Sequence, residues 1–385
     1  MVALDASNIK LNNRKRIIKL LSVEREVTKL DISRKLDISV PTVSTIILEL
    51  IKEGIVEEAG MASSTGGRKP VIIKFLPNSR YSIGVNLDSG SVKAVLTNLD
   101  GDIICRLDKE LMDISETCVL KTMKELIETL MSKCDKDKQC MGVGFSLPGT
   151  IDEKNMRLDF AANFKLNNLA FKDLQADFNV PMYLENEANA GALAEWQLGL
   201  AKDKNNVIYI SISQGVGGGF IIDKKMYKGS ERRAGEIGHM TINKNGRACN
   251  CGKKGCWETY ASQRALISDY NQLTKKNVRH LEDVVRAYRN NEVPAQQVLK
   301  NYIEDLAEGI KNLMFIFNPD YIIIGGEISR YSDIFSSALI EKVFDNNVFY
   351  KKEDVNILFS SLDGDANILG AAIIPIVEGF GFTDI

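Results

Sequence analysis

The 385-residue chain has only two histidines, two tryptophans and eight prolines. No apolar run is long enough to cross a bilayer, and Met1-Val-Ala-Leu-Asp-Ala-Ser7 lacks the basic-then-apolar order of a signal peptide. Membrane-spanning and secreted classes are therefore not expected, and the chain reads as cytoplasmic. Charge of either sign is not in large excess: 49 basic against 51 acidic residues leave −2, so a nucleic-acid role must be judged from local charge. Cysteines number seven, an odd count, and three of them sit close together, which suits metal binding in a reducing compartment better than a disulfide framework. What remains is an ordinary globular composition, 44% hydrophobic and 26% charged, with length for two or three domains.

One of the two histidines falls beside the clustered cysteines. His239, Cys249, Cys251 and Cys256 lie within one short stretch, the other histidine being His280 in a charged segment read as helical. Three sulfurs and one imidazole are the donor set of a closed tetrahedral zinc site, with no position left for a catalytic water. Gly252 and Gly255 permit the tight turns that would bring the donors round one ion. Free cysteines favour apolar burial, whereas these stand among Asn, Lys and Gly, so a structural Zn2+ is the reading.

The first 78 residues read as a winged helix-turn-helix. Asn13 to Leu21 puts Ile17, Ile18, Leu20 and Leu21 at helical spacing. Thr28-Lys-Leu-Asp31 is a capping box for a second helix, Lys29 to Leu36, and Ser39 caps a third. In the third, Val43, Ile46, Ile47, Leu50 and Ile51 form an apolar stripe. Thr42, Ser44 and Thr45 are left outward near its start, where a recognition helix presents side chains to double-stranded DNA. Two strands follow, Ile55 to Glu58 and Val71 to Phe75, joined by a loop ending Gly66-Gly-Arg-Lys-Pro70; Arg68 and Lys69 at its tip suit a narrow minor groove. Pro77-Asn-Ser-Arg80 reads as a linker.

Residues 79–385 read as α/β. Tyr81 to Asn98 is strand, turn, strand; Asp100-Gly101 turns into a third strand; Cys118 to Ser132 is an amphipathic helix; Met141 to Gly149 is a strand entering a loop. About 125 residues after the first, a second strand–glycine loop–strand unit runs Val207 to Ser213, Gln214 to Gly219, Phe220 to Ile222. Two related lobes facing a cleft are predicted.

Several motifs carry a family resemblance. Gly84-Val-Asn-Leu-Asp88, Ser146-Leu-Pro-Gly149, Glu185-Asn-Glu-Ala-Asn-Ala-Gly191, Gly215-Val-Gly-Gly-Gly219, Gly235-Glu-Ile-Gly-His239 and the cysteine cluster ending at Glu258 occur in the order seen in the ROK family of repressors, open reading frames and kinases. The resemblance covers nearly everything after residue 80. With the N-terminal domain it resembles the repressor branch, most of all the bacterial xylose repressors. It implies an actin/hexokinase-like two-lobed fold with its cleft near 186–190 and a C-terminal segment returning to the first lobe. It also implies sugar contacts at Asn163, Asn186, Glu187, Glu236, His239 and Glu258.

Two departures from the kinase pattern bear on catalysis. Position 187 is Asp in the kinases, where it takes a proton from the attacking hydroxyl, but Glu here, and a misplacement of about 1 Å costs on the order of 10²-fold. The kinases' Asp-x-Gly-Gly-Thr phosphate turn is replaced by Asn86-Leu-Asp-Ser-Gly90, whose Asp88 would repel a nucleotide. The prediction is therefore a sugar-responsive repressor without enzymatic activity, binding a palindromic operator as a homodimer or homotetramer. Xylose is the favoured effector, as the resemblance to the xylose repressors implies, and the longer Glu187 would reach a ring hydroxyl where a pentose lacks the hydroxymethyl arm of a hexose. The alternatives are a sugar kinase with an attached DNA-binding domain and a repressor governed by a protein partner.

Overall fold

Two short polar side chains fix where the recognition unit begins. In a computed structural model, which describes residues 6–61, 70–135 and 137–381, α1 (Ala6–Glu24) leads through β1 (Glu26–Thr28) to α2 (Lys29–Leu36). Thr28 Oγ1 accepts from the Asp31 amide at 3.1 Å, and Asp31 answers by accepting from the Thr28 amide, closing a capping box. Ser39 caps α3 (Val40–Lys52), with Pro41 in the first turn. Ile17, Ile18 and Leu21 of α1 meet Ile32 of α2 and Val43, Ile46, Ile47 and Leu50 of α3 in one core. Ile51, read as part of the stripe, sits at its edge and is only half-buried.

The wing strands are β2 (Val56–Met61) and β3 (Val71–Phe75), and β1 joins them in the order β1-β3-β2. Strand β1 has no sequence signature, because three residues are too few to show alternation. Arg68 and Lys69 lie outside the described residues. Pro77–Ser79, read as a linker, is instead a fixed single turn of 3-10 helix. Pro77 O accepts from the Leu99 amide at 3.0 Å, and Asn98 Nδ2 donates to Asn78 Oδ1 at 3.0 Å.

The remaining chain folds as two lobes with one topology. In the first, β4 (Arg80–Asp88), β5 (Ser91–Thr97) and β6 (Ile103–Glu110) form an antiparallel meander. Helix α4 (Glu116–Ser132) crosses over to β7 (Gln139–Leu147). A small sheet of β8 (Thr150–Asp152), β9 (Arg157–Ala161) and β10 (Leu166–Ala170) is followed by α5 (Lys172–Ala176), β11 (Met182–Asn186) and α6 (Glu187–Gln197). The main sheet runs β11-β7-β4-β5-β6, with β7 and β11 parallel to β4.

In the second lobe β12 (Val207–Ile212), β13 (Val216–Ile222) and β14 (Lys225–Met226) repeat the meander. Helices α7 (Glu258–Ala261), α8 (Gln263–Thr274), α9 (Leu281–Arg289) and α10 (Val293–Phe317) precede β15 (Tyr321–Gly326). Helix α11 (Ser332–Phe344), β16 (Asn356–Phe359) and α12 (Ala366–Phe380) complete it. Its sheet runs β14-β13-β12-β15-β16, the same order when read from the opposite edge.

Each lobe then lends its last helix to the other. Helix α6 packs on β12 and β13, while α12 packs on β4 and β7. Both contacts need missing side chains. A Cβ on Gly219 would collide with Ala188 O, and one on Gly84 would lie 2.7 Å from the Ala372 amide nitrogen. Gly217, Gly218 and Gly219, read as a loop, are strand residues of β13; Gly217 and Gly219 are kept bare for α6 and Gly218 for Ile237, and the turn is confined to Ser213-Gln-Gly215. Helix α12 also reaches the recognition unit, where Ile376 and Phe380 are buried in its core. No described helix is long and apolar enough to cross a membrane.

Candidate functional site

The start of α6 sets one wall of a cleft between the lobes. Asn186 Oδ1 accepts from the amides of Ala188 (2.8 Å) and Asn189 (3.4 Å), capping the helix, and its Nδ2 donates to Gly149 O at 2.9 Å. Most of the hydrogen-bonding capacity of Asn186 is thus spent on holding the wall. The next residue, Glu187, accepts from the Ser213 hydroxyl at 3.3 Å. It is partly buried and lines the cleft. That desolvation, with Asp88 and Glu236 nearby, pushes its carboxyl up to about 7.

A short chain segment supplies the opposite wall. Glu236 and His239 lie on the turn of 3-10 helix at Ile237–His239, and Glu258 is the first residue of α7. His239 Nε2 is 3.8 Å from Glu236, and its Nδ1 is 3.8 Å from Glu258. Burial raises the Glu236 carboxyl above its ordinary range. Asn163 closes the cleft from the first lobe. Its Oδ1 accepts from Asn250 Nδ2 and Arg264 Nη1, both at 3.0 Å and both from the second lobe. Asn163, Asn186, Glu187, Glu236, His239 and Glu258 line a single cavity of about 110 Å³. Sequence reasoning passed over Ser213 and Arg264, which orient two of these side chains; a lone Ser or Arg carries no spacing signal.

Behind this wall His239, Cys249, Cys251 and Cys256 bring their donor atoms within 4.8 Å of one another. Cys249 Sγ stands 3.6 Å from His239 Nδ1, and Cys251 Sγ stands 3.6 Å from Cys256 Sγ. Tetrahedral zinc with bonds of roughly 2.3 Å to sulfur requires sulfurs about 3.8 Å apart, so the cluster has the dimensions to hold a metal ion. Gly252 and Gly255 make the bends at φ of +87° and +74°, the left-handed region that glycine enters freely. Burial pushes the Cys249 and Cys256 thiols up, and a cation among them is what would draw them into the thiolate form. His280 is far removed in role, standing at the N-cap of α9 without a side-chain capping bond.

The β4–β5 turn contains Asp88. Its Oδ1 accepts from the Ser89 amide at 2.7 Å, and its Oδ2 accepts from Lys93 Nζ at 2.8 Å. On α3, Thr45 is exposed and Thr42 and Ser44 are half-exposed. The Thr45 hydroxyl donates to Pro41 O at 3.1 Å, and the Thr42 hydroxyl pairs with that of Ser39 at 2.8 Å.

A winged helix-turn-helix joined to two lobes of the actin/hexokinase kind defines a DNA-binding regulator built on a sugar-kinase scaffold. Residues 82–377 match the ROK family and residues 11–57 a winged helix-turn-helix DNA-binding family; the chain belongs to the ROK family and is one of its transcriptional repressors. It is 33% identical to the xylose repressor of Bacillus spizizenii over 98% of this chain and 97% of that one. It is 30% identical to the glucokinase of Thermotoga maritima over 76% of this chain and 96% of that one. Among solved structures it resembles a ROK family transcriptional regulator described as a homologue of the E. coli MLC protein. There the TM-score is 0.83 at 24% identity, covering 97% of this chain and 98% of that one.

Proposed function

We propose that the chain binds a palindromic operator as a homodimer or homotetramer and leaves it when xylose occupies the interlobe cleft. The observation that carries this reading is the convergence of three carboxylates, two amides and one imidazole on one cavity of about 110 Å³. Carboxylates and amides offer the mixed acceptors and donors that sugar hydroxyls require. That volume is far below the several hundred Å³ of drug-sized pockets, which favours a single sugar ring. The shared helix α12, seated on the first lobe and buried in the recognition core, supplies a physical link from cleft to DNA.

In this reading Thr42, Ser44 and Thr45 face the bases while Arg68 and Lys69 follow the minor groove. His239, Cys249, Cys251 and Cys256 hold a structural Zn2+, which supplies the charge that keeps three sulfurs together. Glu236, His239 and Glu258 are thereby held as one wall. Sugar binding weakens DNA binding, and DNA reciprocally weakens sugar binding.

The test is operator binding by fluorescence anisotropy across a panel of pentoses and hexoses, with thermal shift on the same panel. Xylose should raise the melting temperature most and release the operator. A hexose that outperforms xylose in both assays refutes the choice of effector. Arg68→Ala should weaken operator binding and lower the salt slope by about one.

A kinase reading is favoured by one observation: a carboxyl pushed up to about 7 suits a general base. Against it stands Asp88, which consumes the Ser89 amide and Lys93 in a turn where phosphate would need free donors. ATP turnover coupled to a sugar panel decides, and turnover abolished by Glu187→Ala would establish the kinase.

A further inference from the structure

Helix α3 offers no nitrogen-bearing side chain until its last residue. Val40 to Ile51 include no Arg, Lys, Asn, Gln or His, and Lys52 closes the helix. The bidentate pairs that single out guanine or adenine in the major groove are therefore out of its reach. A carboxylate could accept from cytosine, but Glu49 is held by Lys10 of α1, and Glu53 just beyond the helix is held by Arg14.

The hydroxyls of α3 are largely committed within the protein. Thr45 Oγ1 is drawn back to Pro41 O, and Thr42 Oγ1 meets Ser39 Oγ. Ser44 keeps a hydroxyl with no partner among the described residues, but one hydroxyl serves donor and acceptor edges alike and so names no base. What the helix turns outward instead is hydrocarbon. Val40 is 42% exposed and Leu48 53%. Thr45, exposed between them, has its methyl to present once its oxygen is held by the preceding turn. Residues 40, 44, 45 and 48 follow one another at helical steps and share a face. The base feature that such a face recognises is the C5 methyl of thymine, which no other base carries into the major groove.

We propose that α3 selects its operator through thymine methyl groups, with Val40 and the methyl of Thr45 as the specificity-determining contacts and Leu48 extending the same surface. This rests on the reading of α3 as the helix that enters the major groove. Discrimination then comes from apolar burial, at about fourfold for each methyl covered.

The probe is a duplex selected by the full-length protein from a random pool, then remade with deoxyuridine for thymidine in its half-sites. That exchange removes the methyl and leaves every hydrogen-bonding edge as it was. The parent should bind the uracil duplex about fourfold more weakly per contacted methyl, while the same exchange confined to the flanks should change nothing. Val40→Ala should weaken binding to the thymine duplex and narrow the gap between the two. Thr45→Ser, which keeps the hydroxyl and loses the methyl, should narrow it likewise. Thr45→Val, which keeps a methyl and loses the hydroxyl, should retain the preference of the parent. Both side chains are exposed, so folding is spared in all three variants. Equal affinity of the parent for the two duplexes, a selected site without thymine in its half-sites, or a preference kept by Thr45→Ser and lost by Thr45→Val would each overturn the proposal. Enrichment of no sequence at all would overturn the operator reading, and this proposal with it.

Discussion

Arg25 Nη1 reaches both oxygens of Asp100, at 2.7 and 2.6 Å, and so joins the recognition domain to the first lobe. The arginine is half-exposed, so the pair itself contributes little to stability, about 0–1 kcal/mol. Its value is positional, since Arg25 O also accepts from the Phe75 amide at the base of the wing. Arg25→Ala should leave the melting temperature within a few degrees of the parent. It should reduce the ratio of operator affinities measured without and with sugar. An unchanged ratio would mean the domains communicate through α12 alone.

Glu187 should impose a pH dependence on stability. Its folded carboxyl is raised from 4.5 to about 7, so the native state binds the extra proton. Stability from this group is fully present below about pH 4.5 and is lost as pH rises through about 7. The size of the loss is roughly 3 kcal/mol. Glu187→Gln, which can still accept from Ser213, should therefore gain stability over the parent as pH rises from 4.5 to 8 in urea titrations. Parallel curves for the two proteins would show that the carboxyl is not desolvated.

Cys251 is the exposed member of the Cys3His cluster and does not line the cleft. Cys251→Ser should lower metal content measured by mass spectrometry of the purified protein, and with it the thermal stabilisation by sugar. Chelation of the parent should reproduce both losses. A variant without metal but with undiminished sugar binding would separate the cluster from the wall that carries Glu236 and Glu258.

Gly144 faces α12 so closely that a Cβ would strike Ala371 O and approach Pro375 Cδ at 3.2 Å. Neither neighbour is a flexible side chain. Gly144→Ala should cost about 1–3 kcal/mol or more, as overpacking does, visible as a lower urea midpoint at constant slope. Gly90→Ala, with open space around its Cβ, is the control and should leave the midpoint nearly unchanged.

Local signals were legible because they act over a few residues. The capping box at Thr28, the cap at Ser39 and the cysteine spacing each declare themselves within a short window and reappear in the fold. The six cleft residues were assembled by resemblance, and the structure brings them to one cavity. What could not be read depends on distant partners. Gly217, Gly218 and Gly219 look like a loop until α6 is known to lie on the first and last and Ile237 on the second, and Pro77-Asn-Ser79 looks like a linker until Asn98 and Leu99 are seen to grip it.

The exchange of α6 and α12 between lobes has a consequence for synthesis. As the chain leaves the ribosome, the recognition domain and the first-lobe sheet emerge early, but the helix that seals both cores comes from residues 366–380. Until then Ile376 and Phe380 are missing from one core, and β4 and β7 lack the cover of α12. Nascent repressor thus passes most of its translation with apolar surface of both the N-terminal core and the first-lobe sheet uncovered. Both of these cores are therefore completed together, late, when the last helix of the sensor has been made.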